Sequence, residues 1–185
     1  MSTKQIKKSA AEIQIPKDVK VNLKGSMLQV QGPLGKVYKN FKKIPVLIQI
    51  NDNKILLTRT GERKKHQAIF NTAKSLIQTL CMGVIDGFTI KMKIVYSHFP
   101  ITVKVEGKKI LIENFQGERA PRIAMIRGDT KVVAKGDDVI ITGPVLTDVS
   151  QTAAIIQEKS KVKNKDHRVF LDGIYRYYKS KGIEK

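Results

Sequence analysis

From Ile13 onward apolar and polar residues alternate. Val19, Val21 and Leu23 interleave with Lys20, Asn22 and Lys24, the run breaks at Lys24-Gly25-Ser26, and Leu28 and Val30 resume it. A period of two sends one set of side chains to one sheet face, and a glycine in a polar break marks a tight turn. Strand, turn and strand are predicted. Gly32-Pro33-Leu34-Gly35 leads into Val37 to Phe41. Val46, Ile48 and Ile50 then alternate before an Asn51-Asp52-Asn53 turn and a strand holding Ile55 and Leu57. After Gly61 the period lengthens. Ile69, Ala73, Ile77 and Leu80, flanked by Phe70 and Leu76, share one face of a helix predicted from about Glu62 to Met82 and ended by Gly83.

The second half repeats the order. Ile90, Met92 and Ile94 alternate with Thr89, Lys91 and Lys93; Ile101, Val103 and Val105 precede Glu106-Gly107-Lys108, and Ile110 and Ile112 follow. Val132 to Ala134 and Val139 to Ile141 flank a turn at Lys135-Gly136-Asp137-Asp138. A helix is predicted from about Thr147, with Asp148 and Gln151 at capping-box spacing and Val149, Ala153 and Ile156 on one face. A shift of 82 residues lays Val103 on Val21, Gly107 on Gly25 and Gly117 on Gly35. Two turn glycines in register, with a helix closing each half, read as an internal duplication. The expected class is α+β: two duplicated domains, each an antiparallel sheet packed on one helix, plus a basic C-terminal extension with a short helix. The boundaries fall at 1–11 for a loose basic arm, 12–84 and 85–160 for the domains, and 161–185 for the extension.

Charge changes the picture. Lys and Arg number 35 against 16 Asp and Glu, a net charge of +19. Such an excess strains a compact chain by self-repulsion, and a polyanionic partner is the simplest reason to keep it. Nucleic acid is favoured over membrane. No stretch of about 18 apolar residues, lipidation pattern or secretory signal is evident. Cys81 is alone and reads as a small buried hydrophobe. His66, His98 and His167 sit at no metal-ligand spacing, and Asp137 and Asp138 are explained by turn chemistry. No catalytic order, metal site or cofactor is implied, so an enzyme is not expected.

The charge gathers between Glu158 and Lys179. Lys159, Lys161, Lys163, Lys165, Arg168, Arg176 and Lys179 face only Glu158, Asp166 and Asp172 there. Asp166 reads as a helix N-cap, Val169, Phe170 and Ile174 as apolar anchors, and Gly173 as a left-handed stop. The segment therefore reads as an arm ordered by its partner rather than a solvated tail. Lys108 and Lys109 add charge at a predicted turn. Phosphate contacts of this kind suit shape recognition of folded RNA. No aromatic base-stacking platform is evident.

Several stretches are those of a known family. Ile15-Pro16-Lys17-Asp18-Val19, Val30-Gln31-Gly32-Pro33-Leu34-Gly35, Tyr96-Ser97-His98-Phe99-Pro100-Ile101 and Asn114-Phe115-Gln116-Gly117-Glu118 carry the resemblance. The most specific stretch is Val162-Lys163-Asn164-Lys165-Asp166-His167-Arg168-Val169-Phe170-Leu171-Asp172-Gly173-Ile174-Tyr175. Over nearly its whole length the chain resembles the large-subunit ribosomal protein family called L-six in bacteria and L-nine in eukaryotes, of the archaeal and eukaryotic type. Glu158, where glutamine is usual, and Arg176, where an aliphatic residue is usual, depart from the pattern. The resemblance implies a non-catalytic constituent of the large ribosomal subunit, bound to rRNA near the sarcin-ricin loop and supporting the region where translation factors dock. It implies neighbouring ribosomal proteins as further partners, no membrane and no homo-oligomer. The implied location is cytoplasmic, with a nucleolar stage during assembly in a eukaryote. Implied RNA-binding residues are Lys161, Lys163, Asn164, Lys165, His167, Arg168, Tyr175, Arg176 and Lys179, beside Lys108 and Lys109. Phe170 would pin the short helix, and Asp172 would orient an arginine or a backbone amide. A free nucleic-acid chaperone is the rival that charge alone would satisfy.

Overall fold

Among the described residues the chain forms thirteen strands, most of them on the alternating runs, and two α-helices on the runs of longer period. A computed structural model describes residues 10–51, 53–166 and 168–183. The chain divides into two compact units, Met1–Ile85 and Asp86–Lys185.

In the first unit, β1 (Ala10–Gln14), β6 (Lys54–Arg59) and β5 (Val46–Asn51) make one antiparallel sheet. A second holds β2 (Lys20–Lys24), β3 (Met27–Gly32) and β4 (Gly35–Asn40). Helix α1 (Lys64–Ile85) packs on both, burying Phe70, Ala73, Ile77, Leu80, Cys81 and Val84. These positions recur every three or four residues, as one helix face requires. Ile69 and Leu76, expected on that face or at its flank, are only half-buried. By length and composition α1 could cross a bilayer, which the sequence reading had excluded for every stretch. Within this core lie its Phe70, Ile77, Leu80 and Val84.

Two expectations are corrected here. Gly83 does not end α1; it is buried within the helix, which runs to Ile85. The chain turns at Gly87, whose φ of 76° is a left-handed value that glycine adopts without steric cost. Ala10 and Ala11, expected in the loose arm, belong to β1, which pairs Ala10 with Thr58. Residues 1–9 of that arm, Asp52 of the expected turn, His167, and residues 184–185 of the extension lie outside the described residues.

In the second unit, β7 (Phe88–Val95) is central to a four-stranded sheet of order β11-β12-β7-β13, with β11 at Lys131–Lys135, β12 at Asp138–Gly143 and β13 at Gly173–Lys181. A three-stranded sheet of order β10-β9-β8 joins Arg122–Met125, Lys109–Glu113 and Thr102–Glu106. Helix α2 (Leu146–Lys159) packs Val149, Ala153 and Ile156 into a core with Ile90, Met92, Ile110, Ile112, Phe115, Ile141 and Ile174. The capping box is absent. Val145 is the N-cap, no side chain caps it, and Asp148 lies inside the first turn, where its charge still suits the helix dipole.

Among the described residues the short C-terminal helix is absent as well. Val169 and Phe170 both donate their amides to the Asp166 carbonyl, which makes a single turn, and the chain then extends into β13. One turn fixes several dihedrals for few bonds, so helix does not propagate from it. Ile174, Tyr175, Tyr177 and Tyr178 instead suit a strand, and β7 offers them an edge to pair with. Gly173 opens that strand and has no left-handed φ.

Equal side-chain chemistry at unequal depth should separate core from surface in the first unit. Ile77→Ala is expected to cost about 2–5 kcal/mol in denaturant unfolding, because Ile77 is wholly buried. Leu47→Ala, at a side chain 58% exposed, should stay within about 0.5 kcal/mol.

Candidate nucleic-acid interface

The lysine-rich segment is a loop closed at both ends. Helix α2 stops at Lys159, and Ser160, 1% exposed, follows it. Ser160 Oγ donates to the Ile156 carbonyl (3.0 Å) and accepts the Ile174 amide (3.1 Å). One hydroxyl thus ties the end of the helix to the start of β13. Val162 is buried in the core just inside this clasp. Asp172, also buried, accepts the Ser97 amide at 2.7 Å. That is the second of the two roles foreseen for it.

Between these anchors the basic side chains are exposed. Lys161, Lys163 and Lys165 alternate with buried Val162 and with Asn164, whose φ is 57°. Asparagine tolerates this left-handed geometry better than most side chains. The Lys165 ammonium lies 5.4 Å from the centre of the Phe170 ring. Phe170 packs against the core and stands 6.0 Å from His98, so it pins a loop rather than a helix. Arg168 is 90% exposed on its side chain, and its guanidinium meets the Asp166 carboxylate with Nη2 at 2.9 Å. That hydrogen bond raises its pKa above the ordinary value.

Arg122, which sequence reasoning passed over, braces the loop from β10. Its Nη1 donates to the Lys159 and Lys161 carbonyls (2.8 and 3.3 Å), and Nε donates to Glu118 Oε2 (2.7 Å). Its guanidinium lies 4.1 Å from the centre of the Phe115 ring. The Arg122 hydrogen bond holds the Glu118 carboxyl below its usual range. The visible signal was the Glu118 to Arg122 spacing, which is common on exposed surfaces and selects nothing alone.

The expected site residues fall into separate groups. Lys161 and Arg176 share the rim of a cleft of about 490 Å³ between α2 and β13, floored by Ala153, Val162 and Ile174. Lys163 stands by Arg122 and Lys159. Lys179 is opposite Ile90 and Arg176 opposite Met92, so both point to the helix-covered side of the sheet. Tyr175, opposite Lys93, is on the other face, and its hydroxyl donates to the Leu171 carbonyl (3.1 Å). Lys108 and Lys109 are not brought to the loop. Lys109 pairs with Met125, at the end of β10 opposite Arg122, about 10 Å away at strand rise.

Fixed positive charge on a clasped loop is the chemistry of a polyanion-binding protein. Burial pushes the Cys81 thiol up, away from the reactive thiolate. A family model described as Ribosomal protein L6 matches residues 99–173. A protein named large ribosomal subunit protein uL6 from Methanosarcina mazei is 42% identical over 170 residues, covering 92% of this chain and 97% of that protein. The uL6 proteins of Thermoplasma volcanium and Methanosphaera stadtmanae are 45% and 46% identical over 166 and 164 residues, 90% and 88% of this chain and 93% and 89% of theirs. The chain belongs to the ribosomal protein L6 family, in its archaeal type. It is a structural ribosomal protein and not an enzyme.

Ser160→Ala should destabilise the second unit by about 1–3 kcal/mol in denaturant unfolding, because the buried Ile174 amide loses its acceptor. For Glu118 the lowered pKa sets the sign: its contribution is full above the unfolded carboxylate pKa and is lost as pH falls through the folded one. The side chain is 41% exposed, so the effect is small. The stability gap between the unsubstituted chain and Glu118→Gln should shrink between about pH 6 and about pH 3; a gap that widens would reverse the assignment.

Proposed function

We propose that this protein binds large-subunit rRNA near the sarcin-ricin loop and supports the region where translation factors dock, through the loop from Lys161 to Arg168. The observation that carries the reading is the clasp: Ser160 and Asp172 anchor the two ends of a loop whose lysines are exposed. Folded RNA presents phosphates at fixed spacing, and a loop of fixed shape meets them with little ordering cost. Lys161, Lys163 and Lys165 supply charge, Asn164 hydrogen bonds, and Arg176 and Lys179 a second row along β13. Arg168 shares its guanidinium between Asp166 and phosphate. Lys108 and Lys109, at a separate turn, reach a different part of the RNA or a neighbouring ribosomal protein. The chain works without homo-oligomer or membrane, within the cytoplasmic large subunit.

The two domains, expected at 12–84 and 85–160, descend from one duplicated unit, the first extending from β1 to the end of α1 and the second completed by β13 from the 161–185 segment. Equivalent hairpin turns support this: Gly25 between β2 and β3 and Gly107 between β8 and β9 have φ of 61° and 58°, and one helix serves the sheets of each unit.

Replacing Lys161 and Lys163 together by Ala should weaken binding to an rRNA fragment carrying the sarcin-ricin loop. The slope of log K against log salt should flatten by roughly 0.7–0.9 per lost phosphate contact. An unchanged slope in filter-binding titrations contradicts direct phosphate contact by this pair.

A further inference from the structure

The four-stranded sheet of the second unit has α2 on one face. The opposite face follows from the register. Residues paired across the ladders share a side, so Lys131, Val133 and Lys135 of β11, Asp138 and Ile140 of β12, and Lys91 and Lys93 of β7 lie together there. On β13, Tyr175 and Tyr178 stand opposite Lys93 and Lys91. Strict alternation from Tyr175 would keep Tyr177 on this face and send Tyr178 to the other. A β-bulge between Arg176 and Tyr178 inserts Tyr177 as an extra residue and returns Tyr178 to the side of Lys91. Its hydroxyl donates to Asp138 Oδ1 (3.3 Å), two strands away on the open face. The bulge thus places three tyrosines on one face where alternation would not, and bulges commonly re-aim side chains in this way.

These rings are exposed and held. Tyr177 is 57% exposed, and Tyr175 and Tyr178 are each 41% exposed. The hydroxyls of Tyr175 and Tyr177 are hydrogen-bonded, and the Lys91 ammonium lies 5.1 Å from the Tyr178 ring centre. Among the described residues Lys131, Lys135 and Lys93 share this face with the Asp138 carboxylate, so a neutral or basic protein surface is a poor match. Fixed π-faces among lysines match a polymer that alternates flat bases with phosphates.

We infer that this open sheet face is a second RNA contact, on which unpaired bases stack against Tyr177 and Tyr178 while Lys131 and Lys135 hold their phosphates. The inference rests on the rRNA-binding reading above but uses the face of the sheet away from α2. The clasped loop meets folded RNA by charge and shape; this face takes nucleotides that have left the helix.

The test compares two probes on the full chain: a single-stranded dodecamer of adenylate and inorganic polyphosphate, which has charge without bases. Tyr177→Leu with Tyr178→Leu should weaken oligoadenylate binding by about tenfold or more and leave polyphosphate binding unchanged. Tyr177→Phe with Tyr178→Phe keeps the rings and should retain affinity within about twofold. The chain has no tryptophan, so its tyrosine emission reports stacking directly and should fall when the unsubstituted chain binds oligoadenylate. Equal loss on both probes, no loss on either, or unquenched emission would overturn the inference. Running the Lys161 and Lys163 double variant on the rRNA fragment separates the two failures. A tyrosine result that fails beside a weakened loop variant removes the platform alone, and an unaffected loop variant removes the primary reading.

Discussion

The pairing of β13 with β7, locked at its start by Ser160, is the constraint on which the second unit depends. Without it, Ile174 leaves the core, β7 loses one of its two neighbours, and the lysine loop loses one of its ends. Ile174 is wholly buried, so the strand contributes apolar burial worth about 1.5–3 kcal/mol from this side chain as well as its ladder of backbone bonds. The C-terminal segment is therefore part of the domain and not an arm appended to it. Closing the far end, the Gly182 and Ile183 amides donate to the Gly87 and Asp86 carbonyls, where β7 begins.

This architecture explains how so much like charge is held in a small space. Lysines on a flexible tail can spread apart, and those on a closed loop cannot. The structure offsets the repulsion locally. Arg122 is neutralised by Glu118, Arg168 by Asp166, and Lys165 lies by an aromatic face. Lys161 and Lys163 project from the braced side, where the nearby carbonyls are occupied by Arg122. Under the proposed rRNA-binding role, a site shaped this way recognises phosphates by position, with the entropy of arranging the lysines settled during folding rather than binding.

Much of this was legible in the residues. Alternation located the strands from β2 to β9 and both β11 and β12, because each has one face against a core and one toward solvent. The helices were legible from their period. What failed did so for identifiable reasons. Gly83 read as a stop because glycine usually is one; here it is buried inside the helix. The β10 strand is four residues long, too short for alternation to register. The last strand was misread because Tyr175-Arg176-Tyr177-Tyr178 breaks the period of two at the bulge and spends its aromatics on an open face. Its apolar signal reduces to Ile174 alone. The same bulge concealed the tyrosine face, since composition shows how many aromatics there are and not which way they point. The loop lysines were found from charge density. The clasp was not, because a single serine carries no signal until its partners fold beside it.

Amide hydrogen exchange on the free chain, without RNA, tests the central claim most directly. The Ile174 amide and the ladder amides of β13 should exchange with the slow core of the second unit, together with those of β7. If β13 exchanges as an unstructured peptide and gains protection only when RNA is added, the segment is a partner-ordered arm, and the clasped loop described here does not exist in the free protein.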